Sequence, residues 1–129
     1  MSKKAVLVTG GFDPIHKGHI EYLREAKKLG DILYVGLNSD HWLTRKKGKP
    51  FMDLENRAMV IQSLDMVDEV IIFNDEDNSS CHAIEQTLLF YDEVIFANGG
   101  DRLLSNIPEY EKYKNDKRVK FVFNVGGDK

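Results

Sequence analysis

Short apolar runs alternate with stretches of helical spacing along most of the chain. The apolar runs predict five buried strands, at residues 4–9, 31–37, 67–73, 92–97 and 119–125. Apolar residues three or four positions apart predict helices at 17–29, at 54–64, from Ser79 or Ser80 to about Phe90, and at 108–114. Strands that alternate with helices are typical of a parallel sheet with right-handed crossovers. We therefore expect an α/β fold: a Rossmann-like, doubly wound sheet of about five parallel strands with helices on both faces.

Three local signals mark the boundaries between these elements. Gly30 follows the first helix, where a glycine commonly ends a helix. Asp53 precedes the second helix as its N-cap, because its carboxylate can accept a backbone N–H of the first turn. Basic and polar residues without an apolar stripe fill positions 42–50, so this segment is predicted to be a basic loop.

Length, composition and charge argue for a single-domain protein and against several other classes. A chain of 129 residues, 42% hydrophobic and 30% charged, is long enough for one core, so residues 1–129 are predicted to form a single domain. The net charge of -3 argues against a nucleic-acid partner. No run approaches the roughly 20 apolar residues of a membrane span. The single cysteine, Cys81, excludes an internal disulfide and favours a reducing, cytoplasmic location.

The residues from Thr9 to His19 lie where the first strand leads into the first helix, and they read Thr-Gly-Gly-Phe-Asp-Pro-Ile-His-Lys-Gly-His. Ligands of open α/β sheets bind at the carboxyl ends of the strands. The free N–H groups at a helix N-terminus suit a phosphate there. Gly10 and Gly11 lack side chains that would keep a phosphate from the backbone, and Gly18 lets the helix start close to the strand. The stretch therefore predicts a phosphate site.

His16 and His19 lie three residues apart, so they share one side of the first helical turn. A single histidine at a helix start is most often a surface or capping residue. Two imidazoles on one side can donate hydrogen bonds to phosphate oxygens as negative charge develops. The pair therefore predicts catalysis of phosphate chemistry.

Other polar segments also follow predicted strands. Parallel strands end at one edge of the sheet, so residues 38–40, the segment from Asn98 to Asp101 and the last residues of the chain converge with the histidine pair. In this interpretation, Asp101, which follows Gly99 and Gly100, contacts a ribose or base. The alternative is that Asp101 caps a turn. Convergence on one rim is the layout of an active site.

The inferred chemistry is nucleotidyl transfer, in which a phosphate oxygen of an acceptor attacks the α-phosphorus of a nucleoside triphosphate and releases pyrophosphate. Such a transfer needs positioning and charge stabilisation more than a covalent nucleophile. The backbone N–H groups of Gly11 and Phe12, with the two histidines, can cradle the triphosphate. Lys46 can reach in from the basic loop to neutralise developing charge, with Lys47 or Lys49 as alternatives.

Three more charged residues near this rim are candidates. Arg57 can hold the triphosphate or the second phosphate, or it can instead pair with Glu55 or Asp53. Asp13 and Asp40 can orient substrate hydroxyls or a magnesium ion.

The box Gly-Gly-Phe-Asp-Pro-Ile-His-Lys-Gly-His resembles the signature of the nucleotidyltransferase superfamily, Gly-Thr-Phe-Asp…His-x-Gly-His in glycerol-phosphate cytidylyltransferases and heptose-phosphate adenylyltransferases. Five further segments look most like the heptose-phosphate branch: Ala-Lys-Lys-Leu-Gly-Asp at 26–31, Asn-Ser-Asp at 38–40, Lys-Gly at 47–48, Leu-Glu-Asn-Arg at 54–57 and Gly-Gly-Asp at 99–101. The resemblance implies that His16 and His19 stabilise the transition state, that Lys46 grips phosphate and that Asp101 helps to hold the nucleotide. It also implies magnesium with CTP or ATP, a phosphorylated sugar, polyol or small alcohol as acceptor, and a homodimer.

The chain departs from the family pattern in two places. Asp65 stands where glycerol-phosphate cytidylyltransferases carry an arginine, which argues against CTP with glycerol phosphate as the substrate pair. Family members follow the fifth strand with an Ile-Ser-Thr-Thr-like segment that closes over the phosphates. This chain ends at Lys129 before such a segment, so we expect a domain that lacks its C-terminal closing segment.

Three alternatives compete with this interpretation. The missing closing segment favours a catalytically incomplete nucleotide-binding module, although binding alone does not require two histidines. A dinucleotide-binding oxidoreductase would need a Gly-x-Gly-x-x-Gly fingerprint, which the chain lacks. A zinc site at His16, His19, His41 and an aspartate lacks an accompanying cysteine pair or His-Glu-x-x-His motif.

Overall fold

A computed structural model describes residues 3–99, 107–123 and 125. Its elements in chain order are β1 (Lys4–Gly10), α1 (Lys17–Lys27), β2 (Ile32–Leu37), α2 (Asp40–Lys47), α3 (Leu54–Gln62), β3 (Glu69–Ile72), α4 (Cys81–Leu88), β4 (Glu93–Ala97), α5 (Pro108–Tyr113) and β5 (Val119–Val122). In this part of the chain, no helix is long and apolar enough to cross a membrane.

The five strands form one parallel sheet in the order β3-β2-β1-β4-β5. The central strand β1 pairs with β2 from Ala5 to Gly10 and with β4 from Lys4 to Leu7. From β1 the chain adds β2 and β3 on one side, and it then crosses to the other side of β1, where it adds β4 and β5. The strand order therefore reverses at β1, where open α/β sheets place their ligand crevice.

The two faces of the sheet bury different residues of the same strand. Val6 and Val8 of β1 pack in a cluster with residues of α1 and α3, and Leu7 between them packs in a second cluster with residues of α4 and α5. All three side chains are fully buried. A side-chain period of two along a strand with helices on both faces explains the continuous apolar run. The predicted doubly wound fold is confirmed.

The predicted basic loop at 42–50 is wrong over most of its length, because Asp40–Lys47 forms α2. Ser39 caps this helix, its hydroxyl accepting the N–H of Trp42 at 3.0 Å. Gly48 ends it with a φ of +87°, a conformation that favours glycine. Only Leu43 of the helix is buried, so the sequence carries no apolar stripe to reveal it.

The predicted caps were partly correct. Asp53 caps α3 by accepting the N–H of Asn56 at 3.0 Å, as expected. Ser80 occupies the N-cap position of α4 but makes no capping hydrogen bond, because its hydroxyl pairs with Thr9 across the sheet at 2.7 Å. Ser79 instead accepts the N–H of Cys81 at 3.3 Å.

Gly30 was predicted to end the first helix, but the structure requires a glycine here for close packing. Helix α1 already ends at Lys27, with Lys28 as its C-cap. A Cβ atom on Gly30 would lie 2.8 Å from Cγ2 of Val6 and 2.9 Å from the carbonyl oxygen of Lys4. The glycine is therefore required for the close approach of this turn to β1.

Candidate active site

The turn between β1 and α1, residues 10–19, is here called the histidine turn. Phe12 has a φ of +50°, a left-handed conformation that is costly for a residue with a side chain and is often found at functional sites. A Cβ atom on Gly11 would lie 2.8 Å from Cδ2 of Leu43, so α2 packs directly on the turn. A Cβ on Gly10 would lie 3.3 Å from the ring of Phe12. Both glycines are thus explained by packing within the rim.

The two histidines form a capping box at the start of α1. The N–H of Gly18 donates to Nδ1 of His16 at 3.0 Å, and the N–H of His16 donates to Nδ1 of His19 at 3.3 Å. A ring nitrogen that accepts a hydrogen bond carries no proton in the neutral imidazole. Each neutral ring therefore carries its proton on Nε2, which makes Nε2 a hydrogen-bond donor.

Ring packing orients the pair. The imidazoles of His16 and His19 are stacked with centroids 4.0 Å apart and an angle of 28° between their planes. The buried ring of Phe12 meets His19 edge-on at 5.0 Å. No acidic residue lies in the first turn of α1, so no carboxylate offsets the positive end of the helix dipole there. The turn is thus suited to an anion.

A pocket of about 480 Å³, here called the α2 pocket, opens between the carboxyl end of β1 and helix α2. Its lining residues are Thr9, Gly10, Asn38, Trp42, Lys46, Asn78, Ser79, Ser80, Pro108 and Glu109. The ammonium of Lys46 lies 4.9 Å from the centroid of the Trp42 ring, in a cation–π contact. The structure thus places Lys46, a predicted catalytic residue, in the wall of a cavity that also contacts the histidine turn through Gly10.

The opposite wall of the α2 pocket comes from the segment before α4 and from the start of α5. The hydroxyls of Ser80 and Thr9 are 2.7 Å apart, and the N–H of Ser80 donates to the buried carboxylate of Glu109 at 2.5 Å. Asn38 donates from its side-chain amide to Asp75 at 3.0 Å. Hydroxyls, amides, one ammonium and one carboxylate on the described lining make this a cavity for a small polar ligand.

Asp13 does not face a ligand. Its side chain is only 1% exposed and accepts the N–H groups of Phe51 at 2.7 Å and Met52 at 2.6 Å, together with the ammonium of Lys47 at 2.8 Å. Burial raises the pKa of this carboxyl, but the hydrogen bonds and the positive charge of Lys47 outweigh burial and hold the pKa below its ordinary value. The predicted contact of Asp13 with substrate or nucleotide is replaced by a contact within the protein.

Arg57 is also used by the protein itself. It is 1% exposed, and its guanidinium donates to the carbonyl oxygens of Gly11, Asn38 and Met52 at 2.7–3.0 Å. It also pairs with Asp40 at 2.6 Å, so both predicted partners, Glu55 and Asp53, are wrong. Its predicted contact with phosphate is corrected in the same way, because the buried guanidinium joins three backbone segments around the rim.

Among the described residues of this rim, the carboxylates of Asp13 and Asp40 do not fit a magnesium site. Both oxygens of Asp13 are occupied by donors. Asp40, with a side chain 42% exposed, accepts from Arg57 through one oxygen and from the N–H of Leu54 at 3.2 Å through the other. Magnesium prefers several free oxygen ligands in an octahedral arrangement. The same contacts occupy both Asp40 oxygens and therefore compete with its predicted role as a substrate ligand.

The end of β4 is described as far as Gly99. Gly99 follows β4, and a Cβ atom there would have open space around it. The hydroxyl of Tyr22 on α1 donates to the carbonyl oxygen of Ala97 at 2.8 Å, which joins the histidine helix to this strand end. The predicted nucleotide ligands Gly100 and Asp101 lie outside the described residues.

Several site residues were missed from the sequence. Asp75 is buried and accepts the backbone N–H and hydroxyl of Ser39, each at 2.8 Å. Its position just after β3 is the sequence signal that could have identified it as a site residue. Trp42 and Glu109 carried none, because one lies on an unrecognised helix and the other in an ordinary acidic first turn.

The structure offers no support for a zinc centre in the residues it describes, where no group of three or more histidine, cysteine, aspartate or glutamate side chains could hold a metal ion. His41 lines a separate pocket of about 630 Å³ with Arg45 and Asp75.

Residues 7–127 match the cytidylyltransferase-like family. Among curated proteins, "Bifunctional protein HldE" of Geobacter sulfurreducens is 38% identical over 128 residues, which are 97% of this chain and 25% of that protein. The protein of the same name from Wolinella succinogenes is 37% identical over 123 residues, 93% of this chain and 24% of that protein. The chain thus spans about a quarter of the length of these relatives.

Two solved structures share the fold. The lipopolysaccharide core biosynthesis protein from Thermoplasma volcanium superposes with a TM-score of 0.73 at 30% identity, covering 94% of this chain and 95% of that one. A protein of unknown function from Archaeoglobus fulgidus has a TM-score of 0.65 at 17% identity and covers 92% of this chain and 87% of that one. A family match over nearly the whole chain agrees with the histidine turn and the strand order. The chain therefore belongs to the cytidylyltransferase-like family.

Proposed function

We propose that this protein transfers the AMP moiety of ATP to a sugar phosphate and releases pyrophosphate. The relatives named HldE and the resemblance to heptose-phosphate adenylyltransferases favour ATP over CTP and a sugar over a smaller polyol or alcohol. Magnesium enters as part of the nucleotide substrate, bound to its phosphates, and this proposal is supported by the occupied carboxylates of Asp13 and Asp40. A homodimer and a cytoplasmic location remain predictions.

The arrangement of the two histidines carries this proposal. Because Nδ1 of each ring accepts a backbone N–H, each neutral ring is a donor at Nε2. The rings stack at the positive end of α1, where negative charge is stabilised. Donors held in place before the reaction stabilise developing charge without reorganisation.

The α2 pocket supports an acceptor with several hydroxyl groups. Its volume of about 480 Å³ lies within the range of small-molecule sites. Lys46 supplies a positive charge for the acceptor phosphate, and the Trp42 ring supplies a flat wall against which a sugar ring can lie. The hydroxyls and amides of Asn78, Ser79 and Asn38 match sugar hydroxyls.

The reaction is a substitution at the α-phosphorus. An acceptor phosphate oxygen forms the new P–O bond as the bond to the β-phosphate bridging oxygen breaks, and the electron pair leaves with pyrophosphate. His16 and His19 donate hydrogen bonds to oxygens that gain charge during this step, and Lys46 neutralises charge on the acceptor side.

The test is a measurement of pyrophosphate release with ATP or CTP and magnesium, each combined with aldose 1-phosphates or glycerol 3-phosphate. We expect turnover with ATP and an aldose phosphate. Turnover only with CTP or only with glycerol 3-phosphate would contradict the proposed substrates. Binding of ATP without any turnover would favour the alternative, a nucleotide-binding module that lacks catalysis.

A variant pair separates catalysis from helix capping. His16→Asn keeps an N-cap acceptor for the N–H of Gly18 but removes the imidazole. We expect it to keep its thermal stability and to lose about 100- to 1,000-fold in kcat. The control, His41→Asn, changes an exposed histidine in the separate pocket beside β3 and should retain full activity.

A further inference from the structure

The six residues from Gly48 to Asp53, here called the strap, connect α2 to α3 and lie against the histidine turn. Phe51 in the strap is 78% exposed, and a Cβ atom on Gly48 would have open space around it. Neither of these two residues therefore holds the strap by apolar burial, although Pro50 and Met52 are half-buried. Polar contacts join the strap to the turn.

Asp13 supplies most of these contacts. Its two carboxylate oxygens each accept one backbone N–H of the strap, from Phe51 and from Met52. Lys47, the last residue of α2, donates to the Asp13 carbonyl oxygen at 2.6 Å and pairs with its carboxylate at 2.8 Å. One buried carboxylate thus fixes both the end of α2 and the strap that follows it.

Lys46 precedes Lys47 on α2, and its ammonium lies against Trp42 in the wall of the α2 pocket. Asp75 holds Ser39 at the start of the helix, and Arg45 in its last turn donates to the Asp75 carbonyl oxygen at 2.9 Å. The helix is therefore anchored at both ends, and the C-terminal anchor lies beside the lysine that faces the pocket.

We propose that Asp13 is a positioning residue of the transfer reaction, which acts through Lys47 and the strap to hold Lys46 at the α2 pocket. This inference rests on the proposed function for the role of Lys46. Asparagine at position 13 can accept one of the two strap N–H groups but places an NH₂ group against the other. The C-terminal end of α2 then loses its ion pair and part of its backbone anchor.

The first test needs no substrate. Trp42 is the sole tryptophan of the chain, so its fluorescence reports on α2 alone. We expect Asp13→Asn to raise the acrylamide quenching constant of Trp42 by at least 1.5-fold in the ligand-free protein. Asp68→Asn is a matched control, since Asp68 also pairs with a lysine and accepts a backbone N–H, from Leu33, at the opposite end of the sheet. Equal quenching in both variants would overturn the inference.

The second test is a double-mutant cycle with Lys46→Met, using pyrophosphate release with the best substrate pair. If Asp13 acts through Lys46, we expect Asp13→Asn to lower kcat/KM at least tenfold in the wild-type background and less than twofold in the Lys46→Met background. Fully additive losses would show a general structural role and would refute the proposal. If Asp13→Asn does not fold, Lys47→Met removes the ion pair and the hydrogen bond to the Asp13 carbonyl oxygen but keeps both strap N–H groups on the carboxylate, and the same non-additivity is expected with smaller losses.

The two proposals can fail separately. No turnover by the wild-type protein with any substrate pair would refute the proposed function, and the quenching comparison would still decide whether Asp13 positions α2. Turnover by the wild-type protein, with Asp13→Asn and Asp68→Asn alike in quenching and kinetics, would refute the positioning role alone.

Discussion

The capping box of the histidine turn and the α2 pocket lie on the same rim but are built from contacts of very different range. In the capping box, the hydrogen bonds join residues two or three positions apart. Around the pocket, Thr9 pairs with Ser80, which is 71 positions away, and Ser80 contacts Glu109, which is 29 positions further on. The capping box therefore needs only the start of α1, whereas the pocket exists only once the sheet and the helices around it have assembled.

The capping box is thus a local feature of α1. The pocket instead depends on β1, α2, α5 and the segments that precede α2 and α4. Arg57 joins the two regions, because it contacts Gly11 in the turn and both Asn38 and Asp40 at the start of α2.

Loss of that connection should have the largest effect. Arg57→Ala removes a buried guanidinium and leaves the carbonyl oxygens of Gly11, Asn38 and Met52 without this donor. We expect a decrease of about 3–5 kcal/mol in the free energy of unfolding, measured by urea denaturation. The exposed Arg24 on α1 provides the control, and Arg24→Ala should change stability by less than about 0.5 kcal/mol. A small effect of Arg57→Ala would mean that the turn and α2 are held together by other contacts.

A change confined to the turn should affect catalysis and leave the pocket intact. His19→Gln keeps a side-chain acceptor at the third position of the helix, as in a common capping box, but removes the imidazole. We expect kcat to fall by about 100- to 1,000-fold with little change in thermal stability. Acrylamide quenching of Trp42 should stay at the wild-type value. Unchanged kcat would remove His19 from the proposed mechanism.

A change in the far wall of the pocket should have a smaller effect. Ser80→Ala removes the hydroxyl that meets Thr9 and should cost about 1 kcal/mol of stability. It should also raise the KM of the acceptor more than that of the nucleotide, because Ser80 lines the α2 pocket. Ser63→Ala, which removes an exposed hydroxyl bonded to the carbonyl oxygen of Met59, should leave both constants unchanged. Equal rises in both KM values would place the nucleotide in this pocket.

The same distinction of range separates what could be predicted from what could not. The strands, the doubly wound sheet and the histidine pair were predicted because apolar periodicity and a short motif are local signals. Helix α2 was not predicted because it buries only Leu43 and is held by capping and by distant carboxylates. Asp13 and Arg57 were assigned to ligands because a sequence shows which charges lie near a strand end but cannot show that they bond to the backbone of distant segments, Met52 for Asp13 and Gly11 for Arg57.

The smallest expected effect concerns carboxylates at the two ends of the sheet, Asp13 at the carboxyl end and Asp68 at the amino end. Burial raises the pKa of Asp68, but hydrogen bonds from Lys27 and Leu33 and the lysine charges outweigh burial and lower the pKa, as for Asp13. A carboxyl with a lowered pKa in the folded state stabilises the protein above its unfolded pKa of about 3.9, and this contribution is lost as pH falls through the folded pKa. The wild-type protein should therefore lose stability below about pH 4. Asp68→Asn should be less stable at pH 7 and should lose less on acidification, by urea denaturation at pH 7 and pH 3. If the variant and the wild type lose the same free energy of unfolding between pH 7 and pH 3, the contacts of Asp68 do not stabilise the protein. Asp13 is then the carboxylate to test in the same way.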